Sequence, residues 1–462
     1  MKPIHIQPVL LALFLLLPGL ACPETNGFTE WTRLSNMVGS LIETEGRPDD
    51  STLREAFENP EPIPGEIAEY LRDAAPVFDQ LDLLADTTKW TPIDPETITH
   101  EYVIPFETKN IFYAVLLVNL KARTLFENED ADEAWALIHS LHNSLRYLDE
   151  NGNLFTQIVS TAVRQLVFRH QHRLISALSD EALNQAIAQQ RQSLEDWVST
   201  EVRTRGEFYF LFNSIDYIFD QIVEAEKLQE HRDNFLKELR KTEKGRALAE
   251  QVVERELLSF EPWRLQVREA RLRMREFELE SFSQVPPRPI EEFYAFQESL
   301  IGDEQEEDAA DSSVELIRIL ENMDPETIHL KDIQQLDETV GQSIAQMVLR
   351  TILPIHSGAD LSFRKDIALQ SKLMVYLAAE AYFRSNDKMP DSLEALLENE
   401  PRLAPDHIQD PFVPHPLRIN RDDGHWRLYS VGENLEDHGG KEVPGQRKQD
   451  DWFLYFREGF YP

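Results

Sequence analysis

The sequence predicts a mainly α protein, an irregular array of helical hairpins followed by a small α+β module with a short antiparallel sheet. Three observations carry this. Apolar residues recur at three- and four-residue intervals along most of the chain before Pro354, the stripe of a helix that packs on one face. The interruptions are short and polar, such as Asn128-Glu129-Asp130, which favours antiparallel neighbours. Strand-like runs occur only after Pro401.

Taken in order, Lys2 precedes an apolar run from Val9 to Leu17 that is too short to span a bilayer as a mature helix. Pro18-Gly19-Leu20-Ala21-Cys22 follows, so residues 1–21 read as a signal peptide. Gly19 and Ala21 are small where an ordinary signal peptidase reads. Leu20-Ala21-Cys22 resembles the end of a bacterial lipoprotein box, and both readings cut before Cys22. Cys22 is the only cysteine, which excludes an internal disulfide and makes it the candidate lipidation residue. The expected location is the periplasm or cell envelope, with a lipid anchor on Cys22 as the membrane tether.

Residues 22–282 read as the helical-hairpin domain. A helix carrying Phe28, Trp31, Leu34, Val38 and Leu41 ends at the Gly46-Arg47-Pro48 turn, and the next is expected from Glu66 to Ala85. Ile111–Phe126, Ala131–Leu148 and Phe155–Leu178 follow, with small Ala122, Ala131 and Ala134 where two helices would approach closely. Asp132-Glu133-Ala134 recurs as Asp180-Glu181-Ala182, although one recurrence makes no regular repeat. From Leu194 to Phe282 the helices become more charged around an aromatic patch, Phe208 to Phe219. Residues 283–312 form a Pro-rich and acidic linker. Residues 313–360 are connecting helices, with one helix from Glu338 to Leu349 ending before Ile352-Leu353-Pro354-Ile355.

Residues 361–462 are the α+β module. An apolar helix with Leu373, Met374, Leu377 and Ala381 breaks at Ser385-Asn386-Asp387. A short second helix is expected to be capped by Asp391 with Glu394. Three strands follow at Pro416–Ile419, Trp426–Ser430 and Trp452–Tyr455, the first two joined by an Asp422-Asp423-Gly424 turn. This order, with Asp410-Pro411-Phe412, Leu428-Tyr429-Ser430-Val431-Gly432 and Asp450-Asp451, resembles the C-terminal globular part of type II secretion major pseudopilins. The resemblance implies a calcium site in the last inter-strand loop, with Asn434, Asp437, Asp450 and Asp451 as ligands. The loop also holds Glu433 and Glu436 beside Gly439-Gly440, and hard oxygens of this kind suit calcium. Taken whole, the chain resembles a group of large bacterial envelope proteins of unassigned function.

The formal net charge of −37 excludes nucleic acid as a partner, since phosphates need a basic surface. His139 and His142 stand three apart on a helix without the acidic partner of a zinc-protease motif. No glycine-rich phosphate loop or nucleophile elbow occurs. Two function classes remain. One is a non-enzymatic envelope binding or scaffold protein that offers grooves to a protein or peptide partner. The other is an exported hydrolase whose carboxylates meet only in three dimensions.

Overall fold

The computed structural model describes residues 26–44, 46–58, 62–86, 108–151, 154–197, 225–259, 290–301, 326–421, 426–440 and 452–455, with scattered positions in 265–280 and 322–324. Cys22, the Phe208–Phe219 patch, the Pro-rich break, the acidic run, the 422–424 turn, Asp450 and Asp451 lie outside the described residues. The chain forms two compact units. One comprises Met1–Glu207, Ser281–Pro289 and Ala359–Pro462, the other Phe208–Glu280 and Ile290–Gly358.

The first unit opens with α1 (Asn26–Ile42), which buries Trp31, Leu34 and Val38 as its apolar stripe requires. Asn110 donates to the backbone oxygen of Ser35 at 3.0 Å and so ties α1 to α5 (Thr108–Glu127). Between them lie α2 (Asp50–Glu58), α3 (Gly65–Asp73) and α4 (Ala75–Ala85). The expected Glu66–Ala85 helix is two helices. Pro76 has no N–H to return to the preceding turn, so the helical bonding breaks at Ala74. Helix α2, which the apolar pattern does not announce, starts where Asp49 accepts the Thr52 N–H at 2.7 Å.

Helices α5 and α6 (Ala131–Asn151) join through a three-residue turn. Glu129 there takes φ 64°, and the Asp130 N–H reaches back to the Leu125 oxygen at 2.9 Å. Ala122, Ala131 and Ala134 are buried at this hairpin. Helix α7 (Leu154–Leu174) and a short 3₁₀ turn, Ile175–Ala177, lead to α8 (Asp180–Trp197).

The second unit holds α9 (Ala225–Leu239), α10 (Glu243–Glu254), α11 (Ile290–Ile301) and the first part of α12 (Leu330–Asn386). Thr242 caps α10 by accepting the Gly245 N–H at 2.9 Å. A side chain on Gly245 would put its Cβ 1.9 Å from the Leu239 oxygen. Asp337 accepts the N–H of Leu258, a buried residue held at φ 58°. Burial pushes the Asp337 carboxyl up to about 6.

Helix α12 corrects the sequence reading. The expected Glu338–Leu349 helix and the helix that opens the α+β module are one 57-residue helix running through Pro354. A proline forfeits one backbone hydrogen bond and costs about 3 kcal/mol in a helix interior. The buried run Leu373 to Ala379 downstream offsets that cost.

After α12, Asp387 turns the chain at φ 52°. The cap of α13 (Leu393–Asn399) is Ser392, which accepts the Ala395 N–H at 3.2 Å. Asp391, the expected cap, pairs with Arg421 at 3.0 Å instead, since Ser392 sits one residue closer to the first turn. The sheet has strands β1 (Arg418–Asn420), β2 (Arg427–Ser430) and β3 (Trp452–Tyr455) in the order β1-β2-β3, both pairs antiparallel. Thus the described chain is mainly helical, and its sheet is confined to the C-terminal end.

Candidate functional site

In the first unit, α12 carries a row of buried charged side chains. Asp360, Arg364, Asp366, Lys372 and Glu380 are each no more than 3 % exposed. Charges removed from water this far need close partners, because an unpaired one costs several kcal/mol.

Toward the helical hairpins, the Arg164 guanidinium of α7 bonds to Asp366 at 2.8 Å and to Asp149 at the end of α6, which also accepts the Ser160 hydroxyl. Burial works against the Arg164 charge, but Asp149 and Asp366 more than offset it and raise its pKa. The Gln190 amide of α8 donates to the side-chain oxygen of Gln370 at 2.7 Å, also buried. Arg384 meets Asp180 at 2.7 Å, but Asp180 is 86 % exposed, so this pair adds at most about 1 kcal/mol. Arg402 grips Glu400 with two nitrogens and donates to Asn184 of α8 at 2.6 Å.

Toward the sheet, Arg364 pairs with Asp360 at 2.7 Å and donates to the Pro411 oxygen. Asp410, fully buried, accepts from Phe412 N–H, Ser430 Oγ and Val431 N–H at 2.9–3.0 Å. Burial pushes the Asp410 carboxyl up, and these donors together with Lys372 pull it back. Asp410-Pro411-Phe412 and the Ser430-Val431 end of β2 are thereby one hydrogen-bonded knot against α12.

Helix α8, bonded to α12 through Gln190, and α6, joined to it through Arg164 of α7, wall a cavity of about 200 Å³. Asp132, Trp135 and Ala136 line it from α6, Glu181, Ala182, Gln185 and Gln189 from α8, and Ser179 from just before α8. Asp132 accepts the Ser179 N–H at 2.9 Å, joining the two walls. The recurring Asp-Glu-Ala triplets are the first turns of these two helices.

Of the residues expected to hold calcium, Asn434 accepts the Glu436 N–H at 3.1 Å. Asp437 accepts from the Tyr429 hydroxyl and the Gly439 N–H, and pairs with Arg418 at 2.9 Å. Gly440, at φ 69°, lies under the Tyr429 ring, where a Cβ would come within 2.9 Å. Asp450 and Asp451 fall outside the described residues, as does Cys22. Among the described residues no three His, Cys, Asp or Glu are grouped to hold a metal, and no helix is long and apolar enough to cross a membrane.

His139 and His142 in α6 and His172 in α7 are half-buried, with their rings set among other side chains. Desolvation lowers them to about 4, 3 and 4, with Arg164 adding to the effect at His142. All three are neutral at pH 7. Below their ordinary value of 6.5 the unfolded chain gains a proton at each while the fold does not, so stability falls with pH from 6.5 toward 4 and below. Each histidine contributes up to about 1.4 kcal/mol per pH unit in that window. The denaturant midpoint should drop steeply between pH 6.5 and 5, and His142→Leu should flatten the slope. An unchanged slope in that variant would mean the histidine is already solvated.

Comparison with protein-family models, with curated proteins and with solved structures finds no match.

Proposed function

We propose that this chain is an exported envelope protein, lipid-anchored through Cys22, that binds or scaffolds polypeptides and does no chemistry of its own. The carrying observation is the α6–α8 groove, whose α8 wall bonds to α12 through Gln190 and whose α6 wall is joined to α12 through Arg164 of α7. A rigid helical groove suits a peptide or partner helix, because little ordering entropy remains to be lost on binding. The hydrolase alternative gains no support from the buried carboxylates Asp149 and Asp366. Asp149 and Asp366 share Arg164 and are 3 % and 0 % exposed in their side chains, which leaves neither a path for substrate nor an uncommitted base.

The α+β module is read as pseudopilin-like on its helix, Asp410-Pro411-Phe412 turn and three-stranded sheet, with calcium as its ligand. In this reading calcium joins Asp450 and Asp451 to Asn434 and Asp437, and Asp437 exchanges Arg418 for the metal. Calcium at about 100 times its dissociation constant should then stabilise the chain by about 2.7 kcal/mol. Melting is best followed on the full chain, since residues 359–386 are buried in the same unit as α6 to α8. Asp451→Ala should remove most of the gain. Equal melting with calcium and with chelator would sink the calcium site.

Capture from envelope extracts on the immobilised chain tests the binding role. A defined partner retained at stoichiometric levels is the expected result. Turnover of an envelope polymer without a retained partner would favour the hydrolase.

A further inference from the structure

Resting on that binding role, we infer that the α6–α8 groove takes a lysine- or arginine-bearing extended segment of a partner polypeptide. Its volume, about 200 Å³, is below the roughly 300–1,000 Å³ of small-molecule and cofactor sites, so it suits one long side chain with its backbone.

The lining sets the charge. Asp132 and Glu181 bring a carboxylate from each wall, and no Lys, Arg or His lines the groove among the described residues. Asp132 spends one oxygen on the Ser179 N–H and keeps the other.

Trp135 points independently to a ligand. It lines the groove and is 5 % exposed, yet its indole N–H finds no acceptor among the described residues. A buried donor without a partner is costly, and a peptide carbonyl is the acceptor that an extended segment would bring. The indole ring in turn favours an adjacent ammonium or guanidinium. Gln185 and Gln189, four apart on α8, present amides to the same groove, spaced to hydrogen-bond a peptide backbone.

The probe is a fluorescein-labelled hexapeptide of alternating alanine and lysine, titrated with the full chain by fluorescence anisotropy at physiological ionic strength. Because the whole protein is acidic, two double variants separate the groove from general attraction. Asp132→Asn with Glu181→Gln keeps an oxygen for Ser179, so the fold should persist, and affinity should fall about tenfold or more. Asp79→Asn with Asp82→Asn, on the exposed face of α4, removes the same charge elsewhere and should change affinity less than about twofold. Trp135→Phe keeps a ring and loses the N–H, and should weaken binding about fivefold. An alternating alanine–glutamate peptide should not bind. Equal losses in the two double variants, an unaffected groove variant, or no binding of the lysine peptide would each overturn the assignment. Undiminished capture of an envelope partner by the groove variant would sink the groove while leaving the binding role intact.

Discussion

Arg164→Ala should cost the first unit about 3–5 kcal/mol, the range for breaking a buried ion pair by removing one partner. The reason is what stays behind. Asp149 and Asp366, 3 % and 0 % exposed in their side chains, would lose the guanidinium they share, and His142, already neutral through desolvation, could take up a proton only at the cost of charging a desolvated ring. The replacement Arg164→Met with Asp149→Leu and Asp366→Leu should stay within about 2 kcal/mol of the natural chain, because the triad's attraction largely repays its own desolvation. Urea unfolding of the three proteins checks this. A loss below about 1 kcal/mol for Arg164→Ala would mean water reaches the triad.

Asp410→Ala should cost about 3–5 kcal/mol, since three buried donors lose their acceptor at once. Asp410→Asn keeps one acceptor oxygen and should cost roughly half as much. Trp426, buried and edge-on to Tyr376 of α12 at 6.1 Å, lies where the sheet meets the helix and would report the loosening through its fluorescence. Equal stability of the alanine variant would show that the Asp410 knot is not what binds the strands to α12.

Much of this was legible in the residues. The three strands fall within one or two positions of their predicted places, because Trp426–Ser430 and Trp452–Tyr455 carry β-formers bounded by turn residues. The helices from Thr108 to Leu174 follow their apolar stripes, and Ala122, Ala131 and Ala134 sit at the close approach their size suggested. Asp410-Pro411-Phe412 stood out as a motif, but its role as an acceptor for β2 depends on contacts twenty residues apart. What misled the reading was proline. The helix expected to end at Leu349 runs on through Pro354 in α12, whereas Pro76 breaks a helix that the apolar pattern made continuous. Local propensity is weak beside burial, which the sequence does not display.

The groove was half legible. The repeated Asp-Glu-Ala triplets mark its two first turns, but pairing them requires the Asp132 bond to Ser179 and the anchoring of both helices on α12. The charges at 360, 364, 366, 372 and 380 are buried, and their partners include Arg164 of α7 and the Asp410-Pro411 turn beside the sheet. Nothing in their spacing announces this, because the partners lie up to 202 residues away.

The central claim is that the buried pairs on residues 359–386 fix both walls of the groove. Hydrogen exchange on the Asp366→Asn chain tests it most directly, because amide protection follows the cooperative unit in which each helix opens. The expected result is faster exchange in α6 from Ala134 to Leu148 and in α8 from Leu183 to Gln190, in step with Leu373–Ala379. Faster exchange confined to the turns of α12 around position 366, with α6 and α8 unchanged, would contradict it.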